Sequence, residues 1–236
     1  MNTSTINYFK KTRTYLFLLL LSAVALSSCV KSDSTDTTIA YLRVINASPA
    51  LATYNVYLSG SKINSAALPF AGSIAYTSRT AGTYGLKFTS GSSVESLYSK
   101  DITLSAGASY SYYLVNKPGQ LDGLLISEDL TAGSTDKAYI RFINLAVDAP
   151  ALDLVKTGTT TSYGTSRTYK TAGSFVAVDA GTYSLDAKET SSGLVKTTKT
   201  DATFAAGYHY DVICGGLVTP ANDTERPLSL QVITVK

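Results

Sequence analysis

Tryptophan is absent, histidine occurs once, cysteine occurs twice, and charged residues make up only 16% of the 236 positions. Each scarcity removes a class of function. The single imidazole, His209, cannot build a zinc site, which needs several ligands converging on one ion. The excess of basic residues, 20 against 17 acidic, is local: Lys10, Lys11 and Arg13 all precede Cys29, and beyond them the count is 17 of each. A chain of zero formal charge, with no basic cluster interleaved with aromatics, has no footprint for nucleic acid. Long apolar runs are also missing. The longest, Tyr15 to Leu26, is too short to span a bilayer. Helix formers are thin where apolar residues recur: the spacing is two, and Gly, Thr, Ser and Tyr fill the positions where a helix would want Ala, Leu, Glu and Lys.

What is present begins with an address. The basic leader, the apolar run and the small residues of Leu26-Ser27-Ser28-Cys29 together resemble the signal peptide and lipobox of bacterial lipoproteins. That resemblance makes residues 1–28 a signal peptide and Cys29 the lipidated N-terminus of the mature chain. Residues 29–38 contain only small or charged side chains after Val30 and read as a flexible tether, which fully extended reaches about 30 Å. Asp33 and Asp36, close behind the Cys, resemble surface-export signals of Bacteroidetes lipoproteins. With Cys29 acylated, Cys214 has no disulfide partner. In Asp211-Val-Ile-Cys-Gly215 it reads as a small buried apolar residue on a strand rather than a nucleophile.

Beyond residue 38 the chain says nearly everything twice. Tyr41-Leu-Arg-Val-Ile-Asn46 returns as Tyr139-Ile-Arg-Phe-Ile-Asn144, Ala81-Gly-Thr-Tyr84 as Ala180-Gly-Thr-Tyr183, and Leu104-Ser-Ala-Gly-Ala-Ser-Tyr110 as Phe204-Ala-Ala-Gly-Tyr-His-Tyr210, at offsets of 98, 99 and 100 residues. A period of that size is a whole domain. Within each copy, short alternating runs with turn signals at roughly ten-residue spacing describe a sandwich. Tyr110 and Tyr210 stand three residues after a Gly and open a strand, as in the tyrosine corner of immunoglobulin-like folds. The expected architecture is therefore all-β: two tandem immunoglobulin-like antiparallel sandwiches, residues 39–130 and 137–236, joined by a linker at 131–136. Because each copy carries its own first strand and corner, each is expected to fold alone.

Arg43-Val-Ile-Asn-Ala-Ser-Pro49, Asn55-Val-Tyr57, Ala81-Gly-Thr-Tyr84 and Leu104-Ser-Ala-Gly107 resemble the domain-of-unknown-function family 4397. Its signature places His where Asn46 stands and continues with an Asp-Ala-Pro that only the second copy keeps, at Asp148-Ala-Pro150. The resemblance implies an extracytoplasmic β-sandwich with no established activity.

Candidate chemistry is sparse. Asp148 is expected to cap the turn before Pro150 and Asp153 to face solvent on a strand. The oxygens of Asn222-Asp-Thr-Glu225 lack the spacing of a calcium loop. Seventeen tyrosines are the compositional oddity. Most suit inward positions and the two corners, whereas Tyr57 and Tyr113, out of phase with Val56 and Tyr112, are expected to face solvent. The expected function is a lipid-anchored, non-catalytic binding, adhesion or structural module of the cell envelope, placed at the outer membrane or the cell surface. No cofactor, metal or catalytic residue is expected, and the partner classes are the membrane, an envelope protein or a glycan. The alternatives are an accessory subunit of an outer-membrane uptake complex and, further off, a glycan-active enzyme, which would need a convergent pair of carboxylates.

Overall fold

A computed structural model describes residues 38–131 and 133–236, of which all belong to one compact unit, residues 36–236. The signal peptide, Cys29 and nearly all of the tether lie outside the described residues.

The first repeat forms β1 (Ile39–Asn46), β2 (Tyr54–Leu58), β3 (Ser61–Lys62), β4 (Ser73–Thr80), β5 (Gly82–Ser90), β6 (Ser96–Leu104), β7 (Ser109–Val115) and β8 (Asp122–Glu128). The second forms β9 (Lys137–Asn144), β10 (Leu152–Lys156), β11 (Ser162–Arg167), β12 (Thr171–Ala172), β13 (Val176–Asp179), β14 (Gly181–Glu189), β15 (Val195–Phe204), β16 (His209–Gly215) and β17 (Ser229–Thr234). Each repeat is two sheets face to face. In the first, β4-β1-β7-β8 packs on β3-β2-β5-β6; in the second, β9-β16-β17, with β12 and β13 successively on the free side of β9, packs on β11-β10-β14-β15. The pairs are antiparallel except β1 with β7 and β9 with β16, which run parallel. A parallel pair cannot be joined by a tight turn, so the chain visits the opposite sheet between its members.

Strand alternation sends Leu42, Val44, Tyr112 and Leu114 into the first core, against Tyr54, Val56, Leu86 and Phe88. Ile140, Phe142, Val212 and Cys214 do the same in the second, against Leu152, Leu154, Leu185 and Phe204. Beyond their first residues, where Tyr41 is exposed, the other faces of β1, β7, β9 and β16 are not solvated either. Ile45, Ala47, Tyr113, Val115, Ile143, Leu145 and Ile213 form a third buried cluster that joins the two sandwiches. These four strands are thus buried on both sides, the pattern that makes a strand read as continuously apolar. It also corrects the expectation for Tyr113, which is fully buried. Its phase is outward for its own sandwich and inward for the pair.

The registers orient the unit. Ile39 O accepts from Gly107 N, and Lys137 O from Gly207 N, so β1 and β9 both start beside a corner turn. Tyr54 pairs with Ser90 at the end where β1 finishes. The chain therefore enters at one end, and the β1–β2 loop and the β5–β6 hairpin tip lie at the other.

Candidate functional site

The seam between the sandwiches contains the charged residues of interest. Arg43 sits in the apolar run of β1 and Arg141 at the matching position of β9; both are 3% exposed. Asp211 of β16 and Glu128 at the end of β8 complete the set, with no exposed side-chain surface on either acid. Arg141 donates from Nε to Asp211 Oδ1 at 2.7 Å and from Nη2 to Glu128 Oε1 at 2.9 Å, with Nη1 2.8 Å from Glu128 Oε2. Arg43 donates from Nη2 to Asp211 Oδ2, from Nε to Ser111 Oγ and from Nη1 to the Thr234 carbonyl at 3.0 Å. Tyr113 donates its hydroxyl to Asp211, and Ser111 donates to Glu128. Each arginine therefore reaches an acid of the other repeat, and the four formal charges cancel. Burial alone would lower the arginine pKa values, but Tyr113, Asp211 and Glu128 outweigh it at Arg43, and Asp211 and Glu128 at Arg141, so both are raised and stay charged. Burial, reinforced by Asp211, raises Tyr113, which stays neutral. An aromatic ring lies over each guanidinium, Tyr76 at 5.5 Å from Arg43 and Phe175 at 4.5 Å from Arg141.

A buried ion pair with good geometry roughly balances its own desolvation. The cluster's effect is positional: a slipped or rotated docking of the sandwiches would leave a charge buried and unpaired. The seam is tied again where the strands finish. The β16–β17 loop crosses to the first repeat, with Arg226 N donating to Pro49 O at 3.1 Å, Leu51 N to Thr224 O at 2.8 Å, and Lys117 paired with Glu225 at 2.9 Å.

The positions singled out in the sequence lie elsewhere. Tyr110 Oη accepts from Ser105 N at 3.1 Å and Tyr210 Oη from Ala205 N at 3.0 Å, across turns in which Gly107 and Gly207 take φ of 74° and 81°, a region costly to any side chain with Cβ. Asn46 and Asn144, the signature positions, are buried clamps. Asn46 donates to Leu68 O and accepts from Ser48 N, both at 3.0 Å, and Asn144 donates to Arg167 O at 2.9 Å and accepts from Ala146 N at 3.1 Å. Asp148 does not cap its own turn. It accepts from Val218 N and Thr219 N, at 2.9 and 3.0 Å, and so holds the β16–β17 loop. Asp153 accepts from Ser166 N at 2.6 Å and Thr190 Oγ1 at 2.7 Å. Glu225 accepts from Ala221 N, closing its own loop. Tyr57 is half-buried with Lys87 Nζ 4.5 Å above its ring. Cys214 is buried and its thiol is pushed up to about 12 by desolvation. Among the described residues, no group of three or more His, Cys, Asp or Glu is placed to hold a metal ion. His209 is 3% exposed, stacks on Tyr139 at 4.6 Å and meets Phe175 edge-on at 4.8 Å. Burial lowers its pKa, with Lys236 adding to the effect.

Sequence reasoning missed Arg43, Glu128, Arg141 and Asp211. The available signal was an arginine repeated within two otherwise apolar strands, where a charge has no solvent to face.

Two tandem all-β sandwiches sharing a buried seam are the class that this architecture defines. Residues 40–155 match the family model described as "Domain of unknown function (DUF4397)". The match runs through the first sandwich and the linker into β10, so it includes Arg43, Tyr113, Glu128 and Arg141. No curated protein matches the chain. Among solved structures, the chain is similar to the Bacillus anthracis TIE protein (14% identity, 76% of this chain and 34% of that one, TM-score 0.25). It is also similar to CBMbc (family CBM26) from Eubacterium rectale Amy13K in complex with maltoheptaose (11% identity, 82% and 95%, TM-score 0.26). A third similarity is to a leucine-rich repeat protein from Bacteroides thetaiotaomicron VPI-5482 (13% identity, 80% and 27%, TM-score 0.21). The chain spans about a third of the Bacillus anthracis protein's length, and likenesses this distant carry no argument about ligand or activity.

Proposed function

We propose that the protein is a lipid-anchored, non-catalytic module of the cell envelope, held through acylated Cys29 and presenting its two sandwiches as one rigid head. The observation that carries this reading is the seam: Arg43, Glu128, Arg141 and Asp211, the buried charges that could do chemistry, are engaged with one another in joining the sandwiches. Rigid docking suits display of a surface at a fixed geometry. A family described only as a domain of unknown function is compatible with such a module. The orientation fits as well, because β1 begins beside the corner turns and the β1–β2 loop lies at the opposite end. That end exposes Leu51, Val94 and Leu194, at 49%, 80% and 62%, which favours a protein contact there and keeps the uptake-complex subunit as the second reading.

The test is fractionation of cells expressing the full chain and its Cys29→Ala variant, with a pull-down from intact envelopes. A diacylated N-terminus buries two chains at about 0.8 kcal/mol per CH₂, so the wild type should stay with membranes through a salt wash and Cys29→Ala should not. Correct processing and retention of Cys29→Ala would remove the lipid as anchor.

A further inference from the structure

One asymmetry in the duplicated fold opens a cleft. The first repeat closes its sheet with an unbroken β4, residues 73–80, whereas in the second the matching edge is split into β12 and β13 by Gly173-Ser174-Phe175. At the same end, Ser109 of β7, paired with Tyr41, is replaced in β16 by His209, paired with Tyr139. The two changes border a cleft of about 560 Å³ at the seam, whose wall includes Ser127, Asp129, Tyr139, Phe175 and His209. That volume lies within the usual range for small-molecule sites, which favour domain boundaries.

Three properties of the cleft define what fits it. Its walls are aromatic, with the Tyr139, Phe175 and His209 rings packed together. It has an acceptor to offer and its guanidinium is taken: the Asp129 carboxylate is exposed, with Thr131 engaging only its Oδ1, while the Arg141 guanidinium is engaged by Asp211 and Glu128. Finally, the charged groups around the imidazole are two of each sign, Arg141 and Lys236 positive and Asp129 and Glu128 negative. A neutral ligand with an apolar ring face and several hydroxyl donors meets all three conditions.

We propose that this cleft binds a sugar residue of a glycan, its ring face against Tyr139 and Phe175 and its hydroxyls toward Asp129. This names the ligand class of the module proposed above and rests on that reading.

Because His209 is the sole histidine, its Hε1 resonance reports on the cleft without assignment of other signals. Residues 36–236, titrated with methyl β-D-glucoside, methyl α-D-mannoside and N-acetylglucosamine at millimolar concentrations, should show a saturable shift of that resonance with at least one of them. Asp129→Asn, at an exposed side chain, should weaken the binding by about tenfold or more. Tyr57→Phe, on the opposite sheet of the first sandwich, should not. Phenethylammonium serves as the cationic rival. A resonance unmoved by every sugar, a shift with the amine alone, or an affinity unchanged in Asp129→Asn would overturn the proposal. The anchoring assay on Cys29 reads independently: a silent cleft with Cys29-dependent retention removes this site and leaves the module.

Discussion

Replacing Asp211 by Asn keeps the shape of the side chain and removes one negative charge from the centre of the seam. Asp211 accepts from Arg43, Arg141 and Tyr113, and an amide can present only one oxygen to those three donors. Two buried guanidinium groups would then share Glu128 alone. Breaking a buried pair from one side costs about 3–5 kcal/mol, a large part of the stability of an ordinary domain. For a chain of this size that corresponds to a fall in Tm of roughly 6–20 °C. The assay is urea unfolding of residues 36–236 followed by far-UV circular dichroism. Lys196→Gln is the control, since its partner Glu189 is partly exposed at the surface, where such pairs are worth about 0–1 kcal/mol. A loss below about 1 kcal/mol for Asp211→Asn would mean that the cluster is hydrated or not formed, and the seam would not be the dry ion cluster described.

Four further outcomes follow from the same structure. Tyr113→Phe removes a buried bond to a carboxylate and should cost about 1.5–3 kcal/mol, against about 1 kcal/mol each for Tyr110→Phe and Tyr210→Phe, whose partners are neutral amides; chemical denaturation ranks the three. Cys214 should resist iodoacetamide in the native state and react on unfolding, as measured by mass spectrometry, since its thiol is pushed up to about 12. Because the folded pKa is raised, this group's contribution is complete below about 9 and is lost as pH climbs from there toward 12, visible as a falling urea midpoint over that window. Residues 38–130 and 136–236 expressed apart should bind a hydrophobic dye through uncovered Ile45, Tyr113, Ile143 and Ile213, and should lose that binding when mixed.

Much of the fold was legible in the sequence because each sandwich is built from local patterns. The strands follow alternation, the corner turns follow the Gly and the Tyr after it, and duplication marks every element twice. The two-residue β3 was too short to leave a pattern. The parallel pairing of β1 with β7 was also hidden, because a pairing between strands more than sixty residues apart leaves no local trace. Tyr113 shows the deeper limit. Alternation tells which residues share a face, but it does not say whether the outward face meets water or another domain. The same ambiguity concealed the seam, since Asp211 and Glu128 are ordinary polar residues on strands until Arg43 and Arg141 arrive from the other side.

Charges that cross the seam fix the two sandwiches to each other. A double-mutant cycle between Arg43 and Asp211, with Arg43→Met and Asp211→Asn measured singly and together by urea unfolding of residues 36–236, tests it most directly. The double variant should be more stable than the sum of the single losses allows, by a coupling of about 2–3 kcal/mol. Losses that add to within about 0.5 kcal/mol would show that the two residues do not meet, and the seam as described would be wrong.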